Sequence, residues 1–255
     1  MNETSLESLL DLCHKLGSVD LRLAILGEGN ASVKLDDATF AVKGSGFSLA
    51  TVEREGLAHC QFDALVPVVE SDTPVPDSDA VLMASRTDKE GVKPSVEALF
   101  HSWLLTLPGV NYVAHTHPIA VGQILCSEHG PLFAEKRLVP DQVVCCQAQS
   151  LWVPYVDPGV ELAREISKRM RKFIEEQGTA PNTILCQNHG LITLGSTADA
   201  AWGAMIMAEK CAEMFVGAAS ISATGFPEFM PSEEVERIAG RPDEEYRRKI
   251  LNFTN

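Results

Sequence analysis

Basic residues are scarce in this sequence relative to acidic ones. The 255 residues include 21 Lys and Arg against 35 Asp and Glu, which gives a formal net charge of −14. Aromatic residues make up only 6% of the chain, and no cluster of Lys and Arg interleaves with them. Proteins that bind nucleic acid or anionic membranes present a basic surface. The composition therefore argues against both partners and predicts that any anionic substrate is held by local contacts.

Long apolar runs are also missing. No segment approaches the roughly 18 consecutive apolar residues that a membrane-spanning helix needs. Residues 1–5 read Met-Asn-Glu-Thr-Ser and lack the basic and apolar regions of a signal peptide. The seven cysteines are scattered without a Cys-x-x-Cys pair, which argues against a disulfide framework or a four-cysteine zinc site. We therefore expect a cytoplasmic protein whose cysteines are mostly small buried residues.

The chain is nevertheless long and apolar enough to bury a sizeable core. Hydrophobic residues make up 45% of its 255 residues. No internal repeat, low-complexity tract or linker divides it. We expect one domain over residues 1–255, with its main motifs within about 5–220 and a helical tail over 221–255.

Two histidines follow a short apolar segment in the middle of the chain. Residues 111–114 favour a β-strand, and side chains alternate faces along a strand, so His115 and His117 are predicted to point to the same side. Pro118 lacks a backbone donor and limits the strand. A lone His-x-His pair is more often an ordinary surface or core pair than a metal site. Whether this pair binds a metal depends on which other ligand residues lie at the same site.

A third histidine, His189, lies between two further predicted strands, 183–187 and 191–194, within Asn188-His189-Gly190. Three neutral imidazoles suit Zn²⁺, and a catalytic zinc keeps a further position for water, substrate or a carboxylate. Glu97 could be that carboxylate. The combination predicts a zinc site on the three histidines, with Mn²⁺, Co²⁺ or Fe²⁺ as alternatives.

Glu97 belongs to a predicted helix that begins at Pro94 or Ser95. This places Glu97 in the first turn, where the helix dipole favours its charged form. His101 follows one turn later. In the alternative interpretation, Glu97 is an ordinary first-turn residue and His101 a packing or hydrogen-bonding residue.

Two glycine-bearing turns lie at opposite ends of a predicted hairpin formed by residues 31–35 and 39–43. Gly27-Glu28-Gly29-Asn30 precedes the hairpin and Gly44-Ser45-Gly46 follows it. Their backbone N–H groups, with the Asn30 and Ser45 side chains, could converge on one anion. Such turns are usually only turns, and neither matches a P-loop or a dinucleotide fingerprint.

The remaining patterns predict further elements. They are a strand region at 57–70, short helices at 79–85 and 119–126, a strand at 143–147, helices from 157 to about 177 and from 196 to about 218, and two short helices at 232–239 and 242–251.

The ordered motifs resemble those of the class II aldolase/adducin family, most closely its zinc-dependent fuculose- and rhamnulose-phosphate aldolases. The motifs are Gly27-Glu28-Gly29-Asn30 with Ala31-Ser32-Val33, Lys43-Gly44-Ser45-Gly46, Pro94-Ser95-Val96-Glu97 with His101, Pro108 with His115-Thr116-His117-Pro118, and Asn188-His189-Gly190.

The resemblance implies an α/β fold, a three-layer α/β/α sandwich with a mainly antiparallel central sheet. It also implies a cyclic tetramer with active sites between subunits. Position by position, His115, His117 and His189 match the family's zinc ligands, and Glu97 matches its acid/base. The positions that hold the substrate phosphate are matched by Gly29, Asn30, Ser45, Gly46 and Ser95.

Two departures from the family pattern concern substrate contacts. Val96 replaces the second serine of the usual Ser-Ser-Glu, which removes one hydroxyl donor to phosphate. Lys43 or Arg86 could supply a replacement contact. The tyrosine acid of the sugar-phosphate aldolases is not matched in residues 130–137.

The resemblance implies reversible cleavage of a small ketose phosphate to dihydroxyacetone phosphate and an aldehyde. The epimerase branch of the family has Asp where this chain has Glu97, which favours carbon–carbon bond chemistry here. The first alternative is a metal-dependent decarboxylase of a sugar-derived or aromatic acid. The second is a non-catalytic adducin-like interaction domain, against which the metal histidines argue.

Overall fold

A seven-stranded sheet runs through the middle of the protein, seen in a computed structural model that describes residues 3–243. The strand order is β3-β2-β1-β4-β7-β6-β5, and within this sheet only β5 and β6 pair in parallel. The predicted, mainly antiparallel sheet is therefore confirmed. The strands are β1 (Asn30–Lys34), β2 (Thr39–Lys43), β3 (Leu57–Gln61), β4 (Tyr112–Thr116), β5 (Leu151–Val153), β6 (Thr183–Cys186) and β7 (Gly190–Gly195).

Helices cover both faces of the sheet. They are α1 (Glu3–Leu16), α2 (Phe62–Glu70), α3 (Ser78–Ala84), α4 (Ala98–Leu104), α5 (Ile119–Leu125), α6 (Gly130–Glu135), α7 (Pro140–Cys146), α8 (Val160–Gln177), α9 (Ala198–Ile221) and α10 (Ser232–Ala239), with a 3-10 turn at Arg54–Gly56.

Two hydrophobic clusters lie on opposite sides of the sheet. One joins α1, α5 and α9 to the face that carries Ala114. The other joins α2, α4 and α8 to the face that carries Val113. Because adjacent residues of β4 enter different clusters, the sheet is buried on both sides. The predicted three-layer α/β/α arrangement is confirmed.

Two strand predictions were wrong in the same way. Of the predicted strand region 57–70, only β3 is extended, since α2 starts at Phe62 and buries Phe62, Leu65 and Val69 at helical spacing. The predicted strand 143–147 lies in α7, which packs on α9 and α10. Both segments are short apolar runs, which periodicity alone does not assign to strand or helix.

The predicted helix around Glu97 begins later than expected. Pro94 forms an isolated bridge with Gly44, and α4 starts only at Ala98, directly after Glu97. The bridge holds the segment before α4 against the end of β2. Glu97 is therefore fixed between a strand end and a helix start.

The C-terminal elements agree with the prediction as far as they are described. α9 and α10 lie where helices were predicted, although α9 continues to Ile221. The predicted helix 242–251 lies almost entirely outside the described residues. Nowhere within residues 3–243 is a helix long and apolar enough to cross a bilayer.

Candidate metal centre

Strand β4 delivers two histidines at its C-terminal end. β4 pairs with β1 on one side and β7 on the other, so that His115 lies opposite Asn30 and Ile192. As predicted from strand alternation, His115 and His117 come together, with their Nε2 atoms 3.1 Å apart. The backbone N–H of His117 donates to the Leu23 carbonyl at 3.0 Å, which fixes the chain just beyond the strand.

The third histidine, His189, sits in the turn between β6 and β7. Asn188 has a φ of 52°, in the left-handed region that Asn tolerates better than most residues. At Gly190, a Cβ would lie 2.5 Å from the Thr116 carbonyl oxygen and 2.7 Å from Cδ2 of His117. Its absence lets the turn close against β4. One ligand nitrogen from each of the three histidines lies within 4.8 Å of the others.

The donor set fits a divalent cation. His115 donates from Nδ1 to the Leu191 carbonyl at 3.0 Å, so its Nε2 lone pair faces the centre. Oε1 of Glu97 lies 3.3 Å from Nε2 of His115 and 3.1 Å from Nε2 of His189. Lone pairs that face one another repel unless a proton or a cation lies between them. Three imidazole nitrogens beside a carboxylate oxygen suit Zn²⁺ and related divalent metals.

The electrostatics of the centre favour a cation. Burial, reinforced by His115 and His189, lowers the pKa of His117 to about 4, so this ring is neutral. Burial opposes ionisation of Glu97, but the neighbouring histidines outweigh it and hold the pKa of Glu97 well below its usual value. Burial also opposes charge on His115, but Glu97 outweighs it and raises the pKa of His115. The carboxylate therefore stays ionised and attracts positive charge.

Two of the predicted phosphate-binding residues, Gly29 and Ser95, lie beside the centre. Gly29 has a φ of 69°, and a Cβ there would lie 2.6 Å from the His115 carbonyl oxygen, so only glycine lets this turn approach β4. Ser45 and Gly46 are exposed in the turn after β2. The hydroxyl of Ser95 lies 3.3 Å from the backbone nitrogen of Glu97. The structure thus brings Gly29 and Ser95 to the centre and leaves the 45–46 turn accessible beside the Pro94 bridge.

Asn30 is committed to other contacts. It is 3% exposed, and its Nδ2 donates to Oε2 of Glu97 at 2.5 Å and to Oγ of Ser95 at 3.3 Å. Its Oδ1 makes a short hydrogen bond with Nε2 of His101. The side-chain amide is therefore saturated within the protein.

The two cations suggested as replacement phosphate contacts are buried as well. Lys43 is 2% exposed and donates to the carbonyls of Phe47 at 2.6 Å and Gly44 at 3.3 Å, and burial lowers its pKa. Arg86 is 8% exposed and donates to the carbonyls of Met83 and Gly91. Both cations therefore stabilise their own turns.

Two residues that contact this centre indirectly were not predicted as site residues. His101 was expected as a packing or hydrogen-bonding residue, and Ser32 had no assigned role. Ser32 Oγ lies 2.6 Å from Nδ1 of His101, and both side chains are fully buried. Their spacing could have predicted these contacts. Ser32 lies two residues after Asn30, on the same strand face, and His101 lies four residues after Glu97, one helical turn later.

The sequence matches a protein-family model and a curated protein over most of its length. The model described as Class II Aldolase and Adducin N-terminal domain matches residues 7–216. YuxG of Bacillus subtilis (strain 168), described as an uncharacterized oxidoreductase, is 30% identical over 224 residues, or 82% of this chain and 29% of YuxG. The chain thus spans less than a third of the length of this relative.

Solved structures share the fold. YgbL of Escherichia coli, whose description gives aldolase, epimerase and decarboxylase as candidate activities, superposes with a TM-score of 0.70 at 18% identity, covering 93% of this chain and 98% of YgbL. An L-fuculose 1-phosphate aldolase superposes with a TM-score of 0.70 at 17% identity, covering 97% of this chain and 98% of that one. At such identities the likeness establishes the fold alone.

Proposed function

The chain belongs to the class II aldolase and adducin family, and we propose that it is a zinc-dependent aldolase. Its reaction would be the reversible cleavage of a small ketose phosphate to dihydroxyacetone phosphate and an aldehyde. The observation that carries this proposal is the convergence of three histidine nitrogens within 4.8 Å beside a buried carboxylate. The three histidines beside an ionised carboxylate favour catalysis over a non-catalytic interaction domain.

His115, His117 and His189 would hold the metal through Nε2. When bound, a zinc ion supplies Lewis-acid stabilisation of the negative charge that develops on substrate oxygens. The Leu191 carbonyl accepts from Nδ1 of His115 and so keeps the opposite nitrogen turned inward. Mn²⁺, Co²⁺ or Fe²⁺ would suit the same donors.

Glu97 would move the proton. Aldol cleavage removes a proton from the hydroxyl that becomes the aldehyde, and the electrons of the broken carbon–carbon bond remain on the ketone fragment. The ionised carboxylate of Glu97 can accept that proton at Oε1, which faces the three histidines, and can then deliver it to the carbon of the ketone fragment that holds those electrons, which completes dihydroxyacetone phosphate. Its Oε2 is already held by Asn30.

The phosphate would be held by polar groups at the edge of the centre. Ser45 and Ser95 offer two hydroxyls and Gly46 a backbone N–H, whereas the backbone N–H of Ser45 already donates to the Lys93 carbonyl. Such convergent donors suit an oxyanion group. The net charge of −14 makes this local site the expected means of holding a phosphate.

A metal-dependent decarboxylase is the second candidate, and one observation favours it. Val96 stands where the sugar-phosphate aldolases have a second serine, so one hydroxyl for a phosphate is missing. The description of YgbL includes decarboxylation among its candidate activities. Both reactions leave negative charge on a substrate carbon next to a carbonyl or an aromatic ring.

A substrate panel separates the two reactions. The zinc-loaded protein is incubated with ketose phosphates and, separately, with sugar-derived and aromatic acids, while aldehyde and CO₂ are both measured. The proposal expects aldehyde with dihydroxyacetone phosphate. CO₂ release without aldehyde would replace the aldolase by the decarboxylase.

The variant Val96→Ser sharpens this comparison. It restores the missing hydroxyl, so KM should fall for a phosphorylated substrate and stay unchanged for a carboxylate substrate. A lower KM for the carboxylate alone would argue against a phosphate site at this position.

We also propose a homo-oligomer, expected to be a tetramer, with the metal centre near its interface. Val19, Ile25 and Leu26 are 83%, 59% and 87% exposed in the 18–29 loop, which lies between α1 and β1 and contains Leu23. The Leu23 carbonyl accepts from the backbone N–H of His117, so this apolar loop lies beside the centre. Exposed apolar side chains grouped in one segment are typical of a surface that another protein covers.

A further inference from the structure

The carboxylate of Glu97 is the end of a chain of hydrogen bonds formed by buried side chains. Ser32 Oγ lies 2.6 Å from Nδ1 of His101, and Nε2 of His101 contacts Oδ1 of Asn30. Nδ2 of Asn30 then lies 2.5 Å from Oε2 of Glu97. The four side chains are at most 8% exposed, so water does not compete for these contacts.

The donors and acceptors of this hydrogen-bond chain can be assigned in one consistent direction. Burial lowers the pKa of His101 to about 3 although Glu97 opposes this, so the ring is neutral and carries one proton. If the proton is on Nε2, it donates to Oδ1 of Asn30, and Nδ1 accepts from the Ser32 hydroxyl. Nδ2 of Asn30 is then left to donate to Glu97. A flipped amide would instead place Oδ1 against the carboxylate, which is repulsive.

We propose that Ser32, His101 and Asn30 are positioning residues that fix Glu97 through its Oε2. The remaining oxygen, Oε1, then faces the three histidines and is kept for the proton. In this assignment Asn30 serves the carboxylate and not the substrate phosphate. The catalytic part of the inference rests on the proposed function, whereas the hydrogen-bond chain itself does not.

The supporting elements are rigid. Asn30 and Ser32 lie two residues apart on β1, which pairs with β4 and β2 on its two sides. His101 lies within α4, one turn after Glu97. Phe100 stacks on the ring of His101, with centroids 4.7 Å apart, and meets His115 edge-on at 5.7 Å. The two ends of the hydrogen-bond chain, Ser32 and Glu97, are therefore held by β1 and by the start of α4.

Fixing one oxygen has a chemical consequence. A carboxylate that is free to rotate could turn both oxygens toward a metal and occupy the position that a substrate needs. Asn30 withholds Oε2 from that position. The result is a base with a single available oxygen at a defined distance from the histidines.

Steady-state kinetics of the zinc-loaded protein compare Asn30→Ala with Ser45→Ala. Loss of positioning should lower kcat by about 10²-fold in Asn30→Ala with little change in KM. Ser45→Ala should raise KM with little change in kcat. If Asn30→Ala behaves like Ser45→Ala, Asn30 holds the phosphate and the inference is overturned.

His101 provides a conservative rescue. His101→Leu should lower kcat, whereas His101→Gln retains a donor toward Asn30 and should recover most of the rate. In a Glu97→Gln background, His101→Leu should cause no further loss, because its effect passes through the carboxylate. Equal losses in the Leu and Gln variants, or additive losses in the double variant, would contradict a positioning role.

A measurement without turnover tests the chain directly. The ¹⁵N-resolved imidazole signals of the zinc-loaded protein at neutral pH should show His101 as the neutral Nε2–H tautomer. Asn30→Ala should shift those signals and Ser45→Ala should not. An Nδ1–H tautomer or an imidazolium would overturn the inference. If no substrate is turned over, the proposed function fails, and these signals still decide whether the chain exists.

Discussion

Glu97 is the residue at which a catalytic and a structural role predict different results. Glu97→Gln keeps the shape and still accepts a hydrogen bond from Asn30, but it cannot take up a proton. We expect turnover to fall by roughly 10²–10⁴-fold while the protein stays folded and binds zinc. A purely structural role at the start of α4 would change the free energy of unfolding by no more than about 1 kcal/mol and leave turnover intact. Steady-state kinetics with measured zinc content check this.

Glu55→Gln is the matched control for this substitution. Glu55 is exposed in the 3-10 turn Arg54–Gly56, on a different segment from Glu97 and the three histidines. It should retain full activity. Full activity in Glu97→Gln with stoichiometric zinc would remove the proton-transfer role and leave only a metal-binding fold.

Gly190 should be as important for metal binding as the histidines beside it. In Gly190→Ala, the new methyl group would lie 2.5 Å from the Thr116 carbonyl oxygen and 2.7 Å from the His117 ring. The turn that carries His189 must then move away from β4. We expect the zinc content after dialysis to fall well below one per chain.

Gly122→Ala provides the comparison. A Cβ at Gly122, in α5, meets nothing within 4 Å, so the substitution should preserve zinc and stabilise the helix by up to about 1 kcal/mol. Zinc analysis and urea unfolding of both variants test the steric argument. Normal zinc content in Gly190→Ala would refute it.

For single residues, the sequence predicted which side chains come together but not which hydrogen-bond partners they have. The period of two along a strand was enough to pair His115 with His117. The role of Asn30 could not be predicted, because the partner that saturates a side-chain amide depends on residues distant in sequence. The role of Lys43 could not be predicted either, because the local sequence pattern does not show that its side chain is buried against the Phe47 carbonyl.

Among the elements, α6, α7 and β5 are held together by one buried cation. Arg137 is 1% exposed and donates to the carbonyls of Ala134, Cys146 and Gln147, at 3.2, 3.2 and 2.7 Å. It also donates to Oγ of Ser150 at 3.0 Å. Arg137→Met would remove this donor from the Cys146 and Gln147 carbonyls, whereas the Ala134 carbonyl still accepts from the backbone N–H of Ser150. We expect a loss of about 3–5 kcal/mol in the free energy of unfolding.

Urea unfolding followed by circular dichroism measures this loss. Arg54→Met serves as the control, because Arg54 forms an exposed ion pair with Glu3, and solvent screening makes the removal of such a pair nearly neutral for the free energy of unfolding. Similar losses in the two variants would show that the buried guanidinium does not link these elements.

The predictions of helices and strands were confirmed where an apolar pattern was long or had clear end signals. α8 and α9 have 18 and 24 residues, and both were predicted. The strand prediction for residues 143–147 was wrong because Val143 and Val144 favour a strand, whereas packing on α9 and α10 favours a helix. Pro140 at the first position of α7 was an available helix-start signal. β5 has only three residues, which is too short for a pattern.

For the whole molecule, the apolar loop beside the metal centre predicts self-association. Leu26 is 87% exposed and has a φ of 53°, a conformation that Asp tolerates better than Leu. Leu26→Asp should therefore leave the fold intact while placing a charge in the proposed interface. Sedimentation velocity should show a tetramer for the native protein and smaller species for the variant.

The control for this experiment is Ile221→Asp, at the end of α9. Ile221 is equally exposed, at 87%, but lies outside the 18–29 loop. It should leave the assembly unchanged. A native protein that sediments as a monomer, or equal dissociation in both variants, would contradict an interface at the 18–29 loop.

The pairing of β4 with β7 also determines when a metal can act during folding. His115 lies on β4 and His189 in the turn before β7, far apart in sequence, and they meet only after Thr116 has paired with Leu191. Closure of so long a loop is a slow event, so an early intermediate offers no complete ligand set. Zinc should therefore slow unfolding far more than it accelerates refolding. In stopped-flow experiments, added zinc would lower the unfolding limb of the chevron and leave the refolding limb nearly unchanged.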